Sequence, residues 1–501
     1  MSVPAMQLQT AQSLAELLRG MADAPDMPVH GISSDSRALK AGFLFLACGG
    51  EGGRHGLHYA ANAVAAGACA IAWDSNTAEL PDGLSIPTVA VDNLSAHLGE
   101  IANRYYGYPS HDLQAVGVTG TNGKTTVAWL IAQSLQRLGQ RCGYLGTLGY
   151  GVGELEGAEG MTTPAAIELH ARLADFVDQG ATHAALEVSS HALAQARVDG
   201  VRFDTVMFTN LTRDHLDYHG DMRSYFESKA RLFLSCESRV KIINLDTDFG
   251  TELAARCGQD VVTVSGRFDR VANGRPYVFC RSVVAKQNGS DISFASSWGD
   301  GKFTLPMPGD FNVENAMSVL AYLLTAGVEL QQACDVLEIA EAPLGRMQRV
   351  ANAGRSIYID YAHTPDAIES ALRALRPHCR GKLYCVFGCG GDRDAGKRPL
   401  IGKAAERLAD RVVITTDNPR SENASLITDD VLQGFTRPET AIVIEDRAAA
   451  INWAVSSATP DDVVLIAGKG HEAYQEIDGV RAPFSDYRVA FAVAATVEEN
   501  A

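Results

Sequence analysis

The sequence predicts an α/β fold in three domains: a small N-terminal α/β domain, a central P-loop domain on a mainly parallel sheet, and a C-terminal doubly wound, Rossmann-like domain. Three observations lead there. The length of 501 residues exceeds what a single hydrophobic core of roughly 250–300 residues sustains. Short apolar runs alternate with helical stretches along the chain, the pattern of sheets covered by helices. A glycine-rich loop stands between an apolar strand and a helix near residue 120, the arrangement that binds phosphate.

The first domain spans 1–112. Apolar runs at 42–47, 68–73 and 88–91 read as strands, the Ala-rich stretch 59–66 as a packed helix, and 106–110 (Tyr-Gly-Tyr-Pro-Ser) as a linker. The second domain spans 113–342. It opens with strand 113–118, the glycine loop and helix 126–138, and continues with strands at 184–188, 205–208 and 240–244. The third spans 343–501, with strands at 356–360, 382–387, 412–415, 441–444 and 462–467. Helices at 365–375, 397–408, 425–434 and 446–455 alternate with them, so a binding crevice is expected beyond the carboxyl ends of these strands.

Composition excludes several classes. Hydrophobic residues at 46% with 21% charged predict compact cores rather than a disordered chain. A net charge of −17 argues against a general nucleic-acid binder. No apolar run approaches the roughly 18 residues of a spanning helix, and the N-terminus lacks signal-peptide regions, so a cytoplasmic protein without membrane insertion is expected. The ten cysteines form no CxxC pair and no zinc spacing. Cys385 and Cys389 flank a glycine turn, but they too are expected to be reduced, buried small residues.

Gly120-Thr-Asn-Gly-Lys-Thr125 carries the strongest chemical signal. Gly120, Thr121, Asn122 and Gly123 can turn backbone N–H groups toward phosphate oxygens, with Thr126 starting the helix. Lys124 can reach the outer phosphates and the Thr125 hydroxyl can ligate Mg²⁺. The spacing is shorter than GxxxxGK[ST], since Val118 occupies the place of the first glycine. Glu187 and His215 each follow an apolar strand and could converge on a cation. Lys229, inside a helix, reads by default as a solvated surface charge.

The short loop is followed in order by Glu187-Val-Ser-Ser-His191, Asn210-Leu-Thr-Arg-Asp-His-Leu-Asp-Tyr-His219, Tyr225-Phe-Glu-Ser-Lys229 and Gly309-Asp-Phe-Asn-Val-Glu-Asn-Ala316. Leu344-Gly-Arg346, Asp360-Tyr-Ala-His-Thr-Pro365 and Gly388-Cys-Gly-Gly-Asp-Arg-Asp394 complete the series. Together these motifs resemble the Mur ligases, an ATP-dependent amide-forming superfamily whose glycine loop the folylpolyglutamate synthases share. The resemblance covers nearly the whole chain. Asp35-Ser-Arg37 with Gly42-Phe-Leu-Phe45 also resembles the nucleotide-sugar domain of the family's tripeptide-forming member.

The resemblance implies activation of a carboxylate as an acyl phosphate made from ATP, with Mg²⁺, Lys124 and Arg346 aligning the anions. It implies two Mg²⁺ ions, Thr125, Glu187, His215 and Lys229 as metal-site residues, and a CO₂-derived carbamate on Lys229. Asn312, Asn315, Arg346, Asp360 and His363 are implied at the nucleotide. Thr162, Thr163, Ser189, Gln195 and Arg197 are implied at the UDP-sugar peptide, with Ser34 and Arg37 weaker candidates. Thr162-Thr163-Pro164 taken alone is equally a helix cap with proline in the first turn.

Asp417-Asn418-Pro419-Arg420 resembles the signature of family members that add meso-diaminopimelate rather than L-lysine. The far carboxylate of diaminopimelate can accept paired hydrogen bonds from the Arg420 guanidinium, whereas lysine offers an ammonium. Arg393, Gly468 and Glu472 match the rest of that pocket. One departure stands out: Asn423-Ala424 replaces the usual Asp-Pro, which is expected to loosen the loop. The implied reaction joins meso-diaminopimelate to the glutamate side chain of UDP-N-acetylmuramoyl-L-alanyl-D-glutamate. Its rivals are a lysine-adding ligase, a folylpolyglutamate synthase and, from another class, a P-loop NTPase switch.

Overall fold

A computed structural model describes residues 11–49, 54–157, 161–266, 274–350 and 355–499. The chain divides into two compact units, one of residues 1–128, 135–243 and 247–261, the other of 129–134, 244–246 and 262–501.

The first unit begins with a four-stranded parallel sheet, Gly31–Ser33, Phe43–Ala47, Ala70–Asp74 and Thr88–Val91, in sequence order. Helix Ala60–Ala65 packs on one face and helix Leu94–Tyr105 on the other. The expected linker at 106–110 is instead part of the packing. Tyr108 takes a left-handed conformation (φ 60°), and Pro109 and Ser110 are buried in a short 3₁₀ turn. Ser110 Oγ accepts from the backbone N–H of Arg202 at 3.0 Å.

The sheet that follows in this unit runs Ser238–Asn244, Phe203–Phe208, Gln114–Thr119, His183–Glu187, Cys142–Gly146, Gly149–Val152. Its first five strands are parallel and the last is antiparallel. Gln114–Thr119 therefore lies in the interior. The loop 120–123 leaves its carboxyl end and runs into helix Lys124–Arg137, beside the carboxyl ends of His183–Glu187 and Phe203–Phe208, where a crevice is expected.

The second unit contains strands Val262–Ser265, Tyr277–Lys286, Gly289–Ser296 and Gly301–Leu305. The first pair is parallel, but the last three form an antiparallel meander, so the mainly parallel reading does not extend here. Hairpin chemistry decides it: Lys286 pairs with Gly289 across a two-residue turn, too short for the crossover that parallel strands need. Helix Asp310–Thr325 follows, buried on nearly every side.

The C-terminal sheet has five parallel strands in the order Ser356–Asp360, Val463–Ala467, Leu383–Phe387, Arg411–Ile414, Ile442–Val443, with Gln348–Arg349 antiparallel at one edge. Alternate residues face opposite cores. Tyr358, Cys385, Val412 and Leu465 pack on one side, and Ile357, Tyr384, Val413 and Val464 on the other, as the period of a strand buried on both faces requires. Burial pushes the Cys385 and Cys389 thiols up to about 12, which suits packing residues and not redox nucleophiles. Among the described residues no helix is long and apolar enough to cross a membrane.

Candidate active site

In the first unit, chemistry gathers at the glycine loop. Thr125 Oγ1 donates to Glu187 Oε2 at 2.8 Å. Glu187 ends its strand fully buried. Its Oε1 also accepts from Tyr144 Oη at 2.5 Å and from the Thr147 N–H at 2.9 Å, while Thr147 Oγ1 donates to Oε2 at 3.2 Å. These four donors replace the hydrogen bonds that water would make to an exposed carboxylate. Asn122 N donates to Asn210 Oδ1 at 2.9 Å, and Thr121 Oγ1 accepts from the Thr212 N–H at 3.0 Å. The 210–212 segment thus braces the loop.

Lys229 is the sharpest departure from expectation. It is no solvated surface charge: on helix Met222–Leu234 it is 1% exposed. Its Nζ donates to Gly120 O at 2.8 Å, the same carbonyl that Lys124 Nζ reaches at 2.8 Å. Burial, and then the neighbouring Lys124 cation, push the Lys229 ammonium well below the usual lysine range, against the pull of Asp214.

Glu187 and His215 make no direct contact by hydrogen bond, and no group of three or more His, Cys, Asp or Glu side chains is poised for a metal among the described residues. His215 has a left-handed backbone (φ 51°) and lies exposed beside Asp214. Its ring packs 5.0 Å from His191 and 6.1 Å from Tyr225, while Lys229 Nζ lies 4.7 Å from the Tyr225 ring. The donor set nonetheless fits Mg²⁺, which keeps several waters and takes only one or two protein oxygens beside phosphates. Thr125 and Glu187 already present such a pair.

Thr162, Thr163, Ser189, Gln195 and Arg197 form one connected group. Thr163 Oγ1 donates to Glu187 O at 2.7 Å and accepts from the Ser189 N–H at 3.0 Å. Arg197 Nη1 donates to Thr163 O at 2.8 Å and its Nε to Gln195 Oε1 at 2.8 Å. Thr162 Oγ1 meets Thr147 Oγ1 at 3.2 Å. The alternative of a helix cap is overturned, since the cap of helix Ala166–Asp178 is Ala165. Ser34 and Arg37 stand apart on an exposed turn, where Arg37 forms a forked pair with Asp35.

In the second unit, Asn312 Nδ2 donates to Pro308 O at 2.8 Å, and Asn315 Nδ2 lies 3.5 Å from Asn312 Oδ1. The Asp360 carboxylate accepts from the N–H groups of Met347 (2.7 Å) and Ala362 (2.9 Å). Burial raises its pKa, opposed by Arg346. The Arg346 guanidinium stacks 5.0 Å from Tyr361, with Nε buried and without a hydrogen-bond partner. His363 Nδ1 meets Tyr361 O at 2.8 Å.

The loops after strands Leu383–Phe387 and Arg411–Ile414 are stitched together. Gly391 N donates to Asn418 O at 2.9 Å, and a Cβ on Gly391 would lie 1.9 Å from Pro419 O, so only glycine permits the approach. Arg420, left-handed at φ 50°, donates from Nη1 to Gly391 O at 2.7 Å; Arg393 is exposed on the same pair of loops. Asn418 Nδ2 donates to Glu472 Oε2 at 2.9 Å. A Cβ on Gly468 would lie 2.6 Å from Asp417 Oδ2. Burial raises the Asp417 pKa, with Arg447 and Lys469 opposing.

Sequence reasoning missed the buried cations that support these loops. Lys469 Nζ, fully buried, donates to Asn418 Oδ1 at 2.9 Å. Arg398 pairs with Glu422 (2.8 Å) and Asp430 (2.9 Å). Arg447 makes a fully buried forked pair with Asp486. Lys469 was signalled by its place inside Gly468-Lys-Gly-His-Glu472; the two arginines carry no local motif. The expected loosening at Asn423-Ala424 is not found. Asn423 Oδ1 accepts from the Ser425 N–H at 2.9 Å and caps helix Ala424–Leu432, and asparagine caps as well as aspartate.

Comparisons with known proteins agree with this geometry. Family models described as "Mur ligase family, catalytic domain", "Mur ligase middle domain" and "Mur ligase, glutamate ligase domain" match residues 28–106, 118–323 and 345–470. The chain is 45% identical over 465 residues to a UDP-N-acetylmuramoyl-L-alanyl-D-glutamate--2,6-diaminopimelate ligase of Pseudomonas aeruginosa, covering 92% of this chain and 94% of that one. A protein of the same name from Xanthomonas campestris pv. campestris is 45% identical over 491 residues, covering 96% and 97%. A solved structure of a ligase of that name superposes with a TM-score of 0.76 at 34% identity, covering 97% and 99%. The folylpolyglutamate synthase of Thermotoga maritima, 17% identical with a TM-score of 0.60 over 81% of this chain and 94% of its own, shares the fold. With three family models matched along the chain and relatives 45% identical over more than nine-tenths of its length, this chain belongs to the Mur ligase family.

Proposed function

We propose that this ligase uses ATP to join meso-diaminopimelate to the glutamate side chain of UDP-N-acetylmuramoyl-L-alanyl-D-glutamate, in the cytoplasm, as a step of cell-wall precursor synthesis. Arg420 carries the reading. Its guanidinium is held by Gly391 O at 2.7 Å, and a fixed fork suits a substrate carboxylate that lysine lacks. The relatives at 45% identity bear the name of a diaminopimelate-adding enzyme. We assign the UDP-sugar peptide to 1–112 with Thr162, Thr163, Ser189, Gln195 and Arg197, ATP to 113–342, and the amino acid to 343–501.

The acceptor carboxylate attacks the terminal phosphate of ATP to give an acyl phosphate and ADP. The amine of diaminopimelate then attacks the carbonyl, phosphate leaves, and the amine loses a proton. Lys124 and Arg346 align the anionic groups, and Asn312, Asn315, Asp360 and His363 are assigned to the nucleotide. Thr125 and Glu187 would hold a Mg²⁺ ion, which would supply charge neutralisation at the phosphates. Lys229 fits a carbamate: a buried lysine with depressed basicity offers the neutral amine that adds to CO₂ with loss of a proton, and the resulting anion could help hold a second Mg²⁺ near His215.

Phosphate release measured across an amino-acid panel tests the reading, with product mass as the second readout. Release that requires both the UDP-dipeptide and meso-diaminopimelate is expected. Equal use of L-lysine would reassign the amino acid, and hydrolysis with neither substrate would point to a nucleotide switch.

A further inference from the structure

The metal-site carboxylate is aimed by a residue that none of the motifs contains. Tyr144, 2% exposed, lies on strand Cys142–Gly146 beside strand His183–Glu187, paired in register with Ala185. Its hydroxyl crosses to Glu187 Oε1 at 2.5 Å, within the range of charge-assisted O–H···O bonds. Gly146, one step beyond the last registered pair, makes room. A Cβ there would lie 2.2 Å from Glu187 Oε1 and 2.6 Å from the Tyr144 hydroxyl.

The donors around Glu187 divide by oxygen. Oε1 takes the Tyr144 hydroxyl and the Thr147 N–H; Oε2 takes the hydroxyls of Thr125 and Thr147. The Thr125 and Thr147 hydroxyls can turn to other acceptors, whereas the Tyr144 hydroxyl sits on a ring fixed by packing and the Thr147 N–H on the backbone. These two pin Oε1, which leaves Oε2 as the oxygen facing Thr125.

We propose that Tyr144 is a positioning residue: its hydroxyl locks the Glu187 carboxylate toward Thr125 and thereby sets the affinity of the phosphate site for a divalent cation. This rests on the reading of Glu187 as a holder of that cation. Tyr144 would touch neither substrate nor metal, so its loss should act on cation affinity and leave the UDP-dipeptide KM unchanged.

The test compares the unmodified enzyme with Tyr144→Phe, Gly146→Ala and Glu187→Gln. Free Mn²⁺ is followed by electron paramagnetic resonance in the presence of a non-hydrolysable ATP analogue, alongside thermal unfolding. Loss of one hydrogen bond to a charged group corresponds to about a tenfold weakening. We expect that weakening for Tyr144→Phe, with activity recovered at raised Mg²⁺. Gly146→Ala, whose added Cβ would crowd both Glu187 Oε1 and the Tyr144 hydroxyl, should weaken Mn²⁺ binding too and carries the test if Tyr144→Phe does not fold. Unchanged Mn²⁺ affinity in both, with weakened affinity in Glu187→Gln, overturns the role of Tyr144. A lowered melting temperature with unchanged affinity also overturns it, since that marks a merely structural tyrosine. Unchanged affinity in Glu187→Gln overturns the premise itself.

Discussion

Thr125 and Glu187, 62 residues apart in the chain, are joined by a 2.8 Å hydrogen bond that ties the first turn after the glycine loop to the end of the neighbouring strand. Thr125→Val keeps the shape and removes the hydroxyl. Losing a hydrogen bond to a charged group, together with a cation ligand, should lower kcat/KM for ATP by roughly 10- to 100-fold. Thr125→Ser should remain within a few-fold of the unmodified enzyme. Steady-state phosphate release against ATP concentration checks both.

Lys229→Ala should abolish synthesis, and bicarbonate or acetate should partly restore it by supplying a small anion to the vacated space. A readout independent of turnover is available: ¹³CO₂ added to the unmodified protein should give a carbamate carbon resonance that Lys229→Ala lacks. Full activity of the alanine variant without additive contradicts the assignment.

How much of this was legible depends on whether a contact is written locally. Most parallel strands and the glycine loop were, because each of those strands is a continuous apolar run closed by a turn; Gly31–Ser33, Cys142–Gly146 and Val262–Ser265, short or broken by glycine and polar residues, were not. The burial of Lys229 was half-written. Tyr225, Phe226, Ala230 and Phe233 lie on the buried face of its helix, and a residue four after Tyr225 and three after Phe226 shares that face. The bonds from Tyr144 to Glu187 and from Arg398 to Glu422 were not written at all. They join residues on separate strands, or on a helix and a loop, and nothing in either segment names its partner. The antiparallel meander escaped for another reason: Tyr277–Lys286 is exposed along most of its second half and Gly301–Leu305 alternates in burial, so these strands lack the continuous apolar runs that revealed the parallel ones.

Arg420→Ala should lose meso-diaminopimelate addition while leaving Mn²⁺ and nucleotide binding intact. Here the guanidinium both approaches Gly391 O and is proposed to meet the substrate carboxylate, so Arg420→Lys should recover little, since an ammonium cannot reproduce the fork. The KM for diaminopimelate, measured with the other substrates saturating, separates this from a general loss of activity.

Arg398 tests the support of that loop. It is 2% exposed and pairs with Glu422 and Asp430, which are each about one-third exposed and can rehydrate. Arg398→Met should therefore cost about 2 kcal/mol, below the cost of breaking a fully buried pair. It should also raise the KM for diaminopimelate, since Glu422 lies two residues from Arg420. Chemical denaturation and amino-acid KM read the two effects separately.

His170 sets a pH limit on stability. It sits fully buried in helix Ala166–Asp178, with Nε2 at 3.1 Å from Asp199 O and Nδ1 without a hydrogen-bond partner. Burial lowers its pKa from 6.5 to about 4, against the pull of the Asp199 carbonyl and Glu100. Between those values the unfolded chain holds a proton that the folded chain does not, so stability falls as pH drops from 6.5 toward 4. The full effect is about 3 kcal/mol. His170→Gln can still donate toward Asp199 O but cannot titrate, so its stability should decline less over that window. Denaturant unfolding at pH 7, 5.5 and 4.5 should show the two proteins diverging as the pH falls. Parallel decline would assign the acid sensitivity to other groups.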